Sequence, residues 1–547
     1  MKKWFYEKNE ELLGSPVNKT FEEVLWMAEP DFRTWVSDMC AEVIRIWDEL
    51  GVPPRAGLGA EEISLQFSKM RTYPIHHQVD GFLCTDEETG QRDCIRNNSI
   101  LGTAARQWFP SMMSTKINHT DDAAAGISIY DCFKESSLLP KMITHGLRYF
   151  KRDAFYHYSH AVNLFTSGDD ISEHIKKYFL EPKATAVEWI KAYELKRSLY
   201  ENTFDYWMEA NEGGAGFGEA TANSTSLKIT RDELLALGDL VPDKCKININ
   251  YGVEDVGVLR IRVFARGQKL FPIGLRAFRT ALRQPATNFP PLTAKYLYEK
   301  FTENFKDQEQ IKIWDPSAGW GGRILGAMCV ENDVRRIHYI GTDPNTDHTT
   351  TGDRTKYHEL ADFYNKHTNS PFATNPPHTY EFYQCGSEEM KDQPDFQKYK
   401  GKLDIVFTSP PYFAKEIYSD DPGQCSTKFN TFDSWVDGFL RPTLQTASEW
   451  LAPDRYLLWN IADAKFSGCI LPLEQLSCDI LKSLGMVYVG KLKMVLANGP
   501  ANNRIDPNTG KPKTKNFCRI KETKKGTKER NKNLWFKYTP VFIFKKL

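Results

Sequence analysis

At 547 residues the chain is too long for one ordinary domain, and 41% hydrophobic with 26% charged residues excludes a disordered or fibrous protein. Lysine plus arginine equals aspartate plus glutamate, at 71 each, so no global field draws in nucleic acid or an anionic membrane and local charge becomes the quantity to follow. No apolar run is long enough to cross a bilayer, and the start "MKKWFYEKNEELL" is too charged for a signal peptide, so a cytoplasmic protein without membrane contact is expected.

Residues 1–210 read as a mainly helical region, suited to recognition or assembly. "TFEEVLWMAEPDFRTWVSDMCAEVIRIWDELG" repeats apolar residues at helical spacing up to Gly51, and "ATAVEWIKAYELKRSLYENTFDYWMEA" does the same farther on. "RYFKRDAFYHYSHAVNLF" mixes cations and aromatics as amphipathic core helices commonly do. The eleven cysteines never fall as Cys-x-x-Cys, so reduced thiols are expected and no metal site. Residues 211–284 read as a linker with short strands. "NEGGAGFGEATANSTS" follows a helix and lacks a phosphate-loop Lys-Ser/Thr, so it reads as a linker or loop, and "VLRIRVFARGQKLFPIGL" has the period of a hairpin.

From residue 285 to 547 strands alternate with helices. "LTAKYLYEKFT" is helical, and "IKIWDPSAGWGGRILGAM" is a strand, a glycine turn and a helix start. "IHYIGTDPN", "HTYEFYQCGSEEM" and "LDIVFTSPPYF" are further strands. After a helix come "RYLLWNIAD", another helix, "MVYVGKLKMVLA" and "LWFKYTPVFIFKKL". Such alternation predicts an α/β fold with a mostly parallel sheet, and the final pair without a helix between predicts an antiparallel last strand.

The chemistry-bearing residues stand at four strand ends, where open α/β sheets bind ligands. Asp315 opens the first turn, and Gly319 and Gly321 let the backbone approach a ligand closely. Asp343 ends the second strand, where a carboxylate can accept ribose hydroxyls. Ser387 and Glu388 follow the third, placed for an adenine edge, and Ser409-Pro410-Pro411-Tyr412 ends the fourth. The glycine spacing is neither that of a phosphate loop nor that of a dinucleotide fold, so a nucleoside ligand without pyrophosphate fits better.

"DPSAGWGG" followed downstream by "TSPPYF" resembles the S-adenosylmethionine-dependent DNA methyltransferases that modify exocyclic amino groups, of the N6-adenine/N4-cytosine type. The resemblance covers residues 285–547 and implies a Rossmann-like methyltransferase domain. It implies S-adenosylmethionine as cofactor, held by Asp315, Ser317, Gly319, Gly321, Asp343, Ser387 and Glu388. Phe289 joins them because "NFPPLTAKYLYEKFT" resembles the segment that packs on the cofactor. It makes Ser409, Pro410, Pro411 and Tyr412 catalytic, acting on a flipped base. Motif order resembles adenine-specific members and the leading serine cytosine-specific ones; adenine N6 is the reading taken, with an RNA base or an inactive nucleic-acid-binding protein as alternatives. None of the cysteines follows a proline, which disfavours ring-carbon methylation of cytosine. A bacterial or phage-infected cell and a restriction-modification setting are implied; any restriction partner and the oligomeric state stay open.

Two segments qualify as nucleic-acid contacts. The loop 498–533 between the last two strands concentrates cations, among them Lys515, Arg519, Lys521, Lys524 and Lys525, and topology would bring it to the sheet end that carries Ser409. "YFAKEIYSDDPGQCSTKFNTF", directly after the catalytic corner, could fold over an extruded base.

Overall fold

The computed structural model describes residues 14–19, 29–50, 60–73, 75, 82–96, 103–117, 126, 128–134, 161–163, 222–230, 256–264, 286–305, 309–331, 336–368, 377–496, 505–506, 508–521 and 535–547. The chain divides into two compact units, Met1–Gly57 with Ile129–Pro285, and Leu58–Ser128 with Ala286–Leu547.

In the first unit, the predicted helix runs from Glu29 to Leu50, with Pro30 in the first turn, where its missing N–H has no intrahelical partner anyway. Its buried stripe is Trp35, Met39, Val43, Ile46 and Trp47, spaced three and four apart. Trp47 packs edge-on against Tyr130 of the short helix Ile129–Lys134, with 5.2 Å between ring centroids. Ala222–Thr230 pairs antiparallel with Val256–Phe264 in unbroken register, and Ala161–Asn163 joins the other edge. Residues 222–226, expected as linker, are therefore strand. Ladder pairing along the whole of Val256–Phe264 outweighs a Ser/Asn-rich composition. The same holds for Ala161–Asn163, expected in a helix. The predicted helix over 184–210, residues 211–221 and the stretch 265–275 lie outside the described residues.

The second unit holds α1 (Ala60–Arg71), β1 (Leu83–Asp86), β2 (Cys94–Arg96), β3 (Lys116–Ile117), α2 (Pro291–Thr302), β4 (Ile311–Asp315) and α3 (Gly322–Met328). There follow β5 (Ile337–Thr342), α4 (Lys356–Thr368), β6 (Thr379–Tyr383), β7 (Leu403–Thr408), β8 (Glu416–Ile417), α5 (Arg441–Trp450) and β9 (Leu451–Asn460). α6 (Leu473–Ser483), β10 (Val487–Val495), β11 (Phe517–Lys521) and β12 (Trp535–Lys545) complete it.

The central strands lie in the order β6-β5-β4-β7-β9 and are all parallel. β12 inserts antiparallel between β9 and β10, as the final pair of strands predicts. This is a Rossmann-like α/β sheet, and alternate residues feed its two faces. Ile313, Tyr339, Ile405 and Phe407 pack with α1 to α4, whereas Trp314, Ile340, Val406 and Trp459 pack with α5 and α6. Ahead of α5 the backbone widens to a π turn at Val436–Leu440, next to Pro442, whose missing N–H and bulky ring disrupt the ordinary ladder.

The expected boundary at residue 210 is corrected here: Leu58–Ser128 belongs with the C-terminal unit. β2 pairs with β10, and β1 pairs with β2 and β11, so β10, β2, β1, β11 and β12 form a closed circuit of pairings around Cys84, Cys94, Cys518 and Phe536. Lys493, 4% exposed, bridges Asp86 and Asp93 at 2.6 and 2.7 Å and locks the circuit. Its ammonium group already balances the Asp86–Asp93–Cys94 cluster whose spacing would otherwise suit a cation. Short upstream strands of mixed polarity give no local periodicity; their long-range pairing is what places them. No described helix is long and apolar enough to cross a membrane.

Candidate active site

β4 and β7 are neighbours in the centre of the sheet, and β5 lies on the far side of β4. The turns after β4, β5 and β7 consequently emerge side by side at the carboxyl end, at the switch point where the strand order reverses.

Asp315, fully buried, ends β4 and organises this edge. Its Oδ2 accepts from Arg323 Nε at 2.7 Å and from the Tyr339 hydroxyl at 2.5 Å; its Oδ1 accepts from the Thr408 hydroxyl at 2.8 Å and the Ser317 amide at 3.2 Å. Both oxygens are thus met by protein donors, and the carboxylate shapes the turn. Burial works against the Arg323 charge, but the Asp315 carboxylate outweighs it and the guanidinium pKa is raised. Arg323 also donates to the Ser317 carbonyl and lies over the Phe289 ring, 5.5 Å from its centroid.

Gly319 and Gly321 take left-handed backbone angles, φ +60° and +73°. A side chain at Gly321 would collide with the Phe109 ring, and one at Gly322 with the Phe289 carbonyl, so the turn is tightly cradled. Asn288 Nδ2 donates to the Trp320 carbonyl at 2.7 Å, and Phe289 packs edge-on against Phe407 at 5.2 Å. The segment before α2 therefore clasps the turn.

Asp343 follows β5. Its Oδ2 accepts the Gly319 N–H at 2.8 Å and its Oδ1 the Asn345 N–H at 3.0 Å. Burial pushes its carboxyl up to about 6, while the Asn345 and Gly319 N–H groups pull the other way. Tyr357, on α4, donates to the Gly319 carbonyl, and His348 Nδ1 lies 2.8 Å from the Tyr357 hydroxyl.

Beyond β6, the Ser387 hydroxyl is buried against Thr443 of α5 at 2.9 Å, and Glu388 follows it. Glu388 Oε1 pairs with Lys428 at 2.8 Å, and its buried Oε2 has no hydrogen-bond partner among the described residues. Such an atom is costly to leave unmet and suits a ligand donor.

The Ser409-Pro410-Pro411-Tyr412 corner leaves β7 directly after Thr408. Ser409 is half-buried, and the half-buried Tyr412 accepts the Ala462 N–H at 3.2 Å through its hydroxyl. Burial pushes the Tyr412 phenol pKa up, with Glu416 adding to it. Phe413 holds φ +55°, a strained angle for an aromatic residue, and is buried against Phe432, Trp435 and Phe466. The following segment runs back over the turns after β4, β5 and β6. Tyr418 meets Trp320 edge-on at 5.6 Å, Asp421 accepts from Thr346 at 2.6 Å, and Lys428 reaches Glu388. The segment expected to cover an extruded base is in this structure anchored to those three turns.

Of the cations assigned to phosphate, Lys515 instead pairs with Asp463 at 2.6 Å and Glu474 at 3.3 Å. Arg519 pairs with Glu88 at 2.5 Å and lies over Trp535. In this structure carboxylates of the same unit pair with each charge. The backbone of Lys521 is in β11; its side chain, and all of Lys524 and Lys525, lie outside the described residues. β10 ends, and β12 begins, at the sheet end that carries Ser409, as topology predicts.

Sequence reading missed Thr408, Arg323, Tyr339, Tyr357 and His348. Arg323 and Thr408 flank the motifs directly, which was a usable signal; the others carry none.

No family model and no curated protein matches the chain. Solved structures that match include the "Putative DNA Modification Methylase" of Thermus thermophilus complexed with S-adenosyl-L-methionine, at 16% identity and TM-score 0.17, over 29% of this chain and 52% of that one. An arsenic(III) S-adenosylmethionine methyltransferase from Chlamydomonas reinhardtii matches at 10% identity and TM-score 0.24, over 43% of this chain and 64% of that one. A TehB-like S-adenosylmethionine-dependent methyltransferase from Corynebacterium glutamicum matches at 12% identity and TM-score 0.21, over 46% of this chain and 88% of that one. The chain thus spans about half the length of the first of these and just under two-thirds of the second.

Proposed function

We propose that this protein is an S-adenosylmethionine-dependent methyltransferase that modifies the exocyclic amino group of a flipped DNA base, adenine N6 in preference to cytosine N4. The observation that carries the reading is the placement of Ser409-Pro410-Pro411-Tyr412 directly after β7, whose neighbour β4 leads into the glycine turn, with Thr408 hydrogen-bonded to Asp315.

The residues fit the cofactor. The left-handed Gly319 and Gly321 open a close approach for the methionine part, Asp343 offers acceptor lone pairs to a ribose, and Glu388 Oε2 is a buried acceptor for the adenine amino group. When bound, the cofactor supplies an electrophilic methyl carbon on a sulfonium leaving group.

The chain's own work is to make a poor nucleophile competent. An exocyclic amine delocalises its lone pair into the base ring. The Ser409 hydroxyl and Pro410 carbonyl accept its two N–H groups in the ring plane and draw the nitrogen toward tetrahedral geometry. With S-adenosylmethionine bound, that lone pair would be the nucleophile for the methyl group the cofactor supplies, and the proton the nitrogen then loses would pass by way of its Ser409 or Pro410 hydrogen bond to water. Pro410 and Pro411 hold the carbonyl rigidly, and the Tyr412 ring, its hydroxyl fixed by Ala462, offers a stacking face.

The test is methyl transfer from radiolabelled cofactor to duplex DNA against structured RNA, followed by nucleoside analysis. N6-methyladenine in DNA is the expected product. Label in RNA alone, or in neither, overturns the proposal.

A further inference from the structure

We propose that Ser111, His348 and Tyr357 form a positioning relay that fixes the peptide planes on both sides of Gly319. By this the upstream segment Thr103–Ile117 becomes an integral wall of the cofactor site. The inference rests on the proposed cofactor site and adds residues that lie outside every motif in the sequence.

The donor pattern is determined by counting protons. The Tyr357 hydroxyl has one, which it directs to the Gly319 carbonyl and the neighbouring Asp343 carboxylate, both of them acceptors only. His348 Nδ1, 2.8 Å from that hydroxyl, must then be the donor to it. His348 Nε2 is left as an acceptor, and the Ser111 hydroxyl, 3.1 Å away, donates to it. The imidazole is 3% exposed and buried in its neutral form; burial, with Lys356 adding to it, pushes its pKa down to about 3. The chain of hydrogen bonds therefore runs in one direction, Ser111 to His348 to Tyr357 to Gly319. The Gly319 N–H continues it to Asp343.

Both polar groups of Gly319 are thereby held, at a residue whose left-handed backbone would otherwise leave its flanking peptides free to rotate. The same upstream segment grips the site twice more. The Phe109 ring fills the space over Gly321 and meets His348 edge-on at 5.1 Å and Tyr357 at 4.9 Å. β3, at the other end of the segment, pairs with β8 just past the catalytic corner, and Lys116 lies 3.5 Å from Asp420. One stretch of chain thus touches the glycine turn, the ribose acid's neighbours and the catalytic loop.

The experiment is calorimetric titration of the full chain with S-adenosylmethionine, with thermal unfolding in parallel. Tyr357→Phe should weaken binding about tenfold, the scale of one lost hydrogen bond. Ser111→Ala should weaken it by roughly three- to tenfold. The double variant should be no weaker than Tyr357→Phe alone, since the two residues act through one relay, whereas independent packing roles would add. Unfolding temperatures should move little. Unchanged affinity in both single variants, or additive losses that track the unfolding temperature, overturns the relay. If the wild-type chain itself does not bind, the cofactor reading falls instead. The relay is then judged by amide exchange at Gly319, which Ser111→Ala should accelerate; an unchanged exchange rate overturns it.

Discussion

The Thr408 hydroxyl donates to Asp315 Oδ1 at 2.8 Å, tying the last residue of β7 to the acid that opens the glycine turn. Under the proposed function this one buried contact would register the methyl-donor and base pockets to each other. Thr408→Val keeps the shape and leaves one lone pair of Asp315 without its donor, at about 1–3 kcal/mol. We expect a lower midpoint in urea and a lower kcat with little change in cofactor affinity. A variant with wild-type kcat would show that the contact does not register the two pockets.

Ser409→Ala and Tyr412→Ala should bind cofactor normally and lose methyl transfer. Removing the base-stacking ring is worth roughly 1–3 kcal/mol, and Tyr412→Phe, which retains the ring and gives up only the hydrogen bond from Ala462, should be milder. Single-turnover rates read the difference. Equal losses in the two Tyr412 variants would shift the role from the ring to the hydroxyl.

Asp343 gives cofactor binding a pH dependence. With its carboxyl raised to about 6, it takes up a proton as pH falls through that value and loses acceptor capacity toward a ribose. Affinity measured by calorimetry should fall on going from pH 7 to pH 5, and the dependence should vanish in Asp343→Asn along with most of the affinity.

Stability against pH has two opposing contributions. The folded Asp343 holds a proton that the unfolded chain has already lost between roughly pH 4 and 6, so its contribution weakens as pH rises through that window. His348 and His378 are buried neutral, pushed by burial down to about 3 and about 4, so their contribution is lost as pH falls below about 6.5. His378 Nδ1 accepts the Ile337 N–H at 2.9 Å, and its Nε2 is 2.8 Å from the Val330 carbonyl. With two histidines against one carboxyl, urea midpoints should rise from pH 4 to 6.5, and His378→Gln should flatten that rise. A slope unchanged by the substitution would remove His378 as a cause.

The cations after β10 should separate by role. Lys515 is committed to Asp463 and Glu474, so Lys515→Ala should leave the salt dependence of DNA binding unchanged. Replacing Lys521, Lys524 and Lys525 together should lower the slope of log affinity against log salt by about 0.9 for each phosphate that is no longer neutralised. The preferred site should stay the same, because phosphate contacts position without specifying. A triple variant with an unchanged slope would place the DNA track elsewhere.

The central sheet was legible because its signals are local. Ile311–Asp315, Ile337–Thr342 and Leu403–Thr408 are short apolar runs, each ending in residues that cannot continue a strand, and the helices between them keep a period of their own. The glycine turn and the Ser-Pro-Pro-Tyr corner were legible for the same reason: backbone restrictions at glycine and proline are written residue by residue. The direction of β12 followed from the missing helix before it.

What tertiary structure alone decided are the partners of charged and polar side chains, since these depend on residues far apart in the chain. Arg323, Tyr339 and Thr408 converge on Asp315, and Asp463 and Glu474 meet Lys515, none of which could be read from the order of residues. β1 and β2 could not be assigned to the sheet because strands this short carry no periodicity, and only pairing with β10 and β11 determines where they lie. The sequence by itself determined which strand ends carry chemistry; the folded chain decided which of those groups remain free to use it, because hydrogen-bond donors and counter-charges are distributed by packing and not by order along the chain.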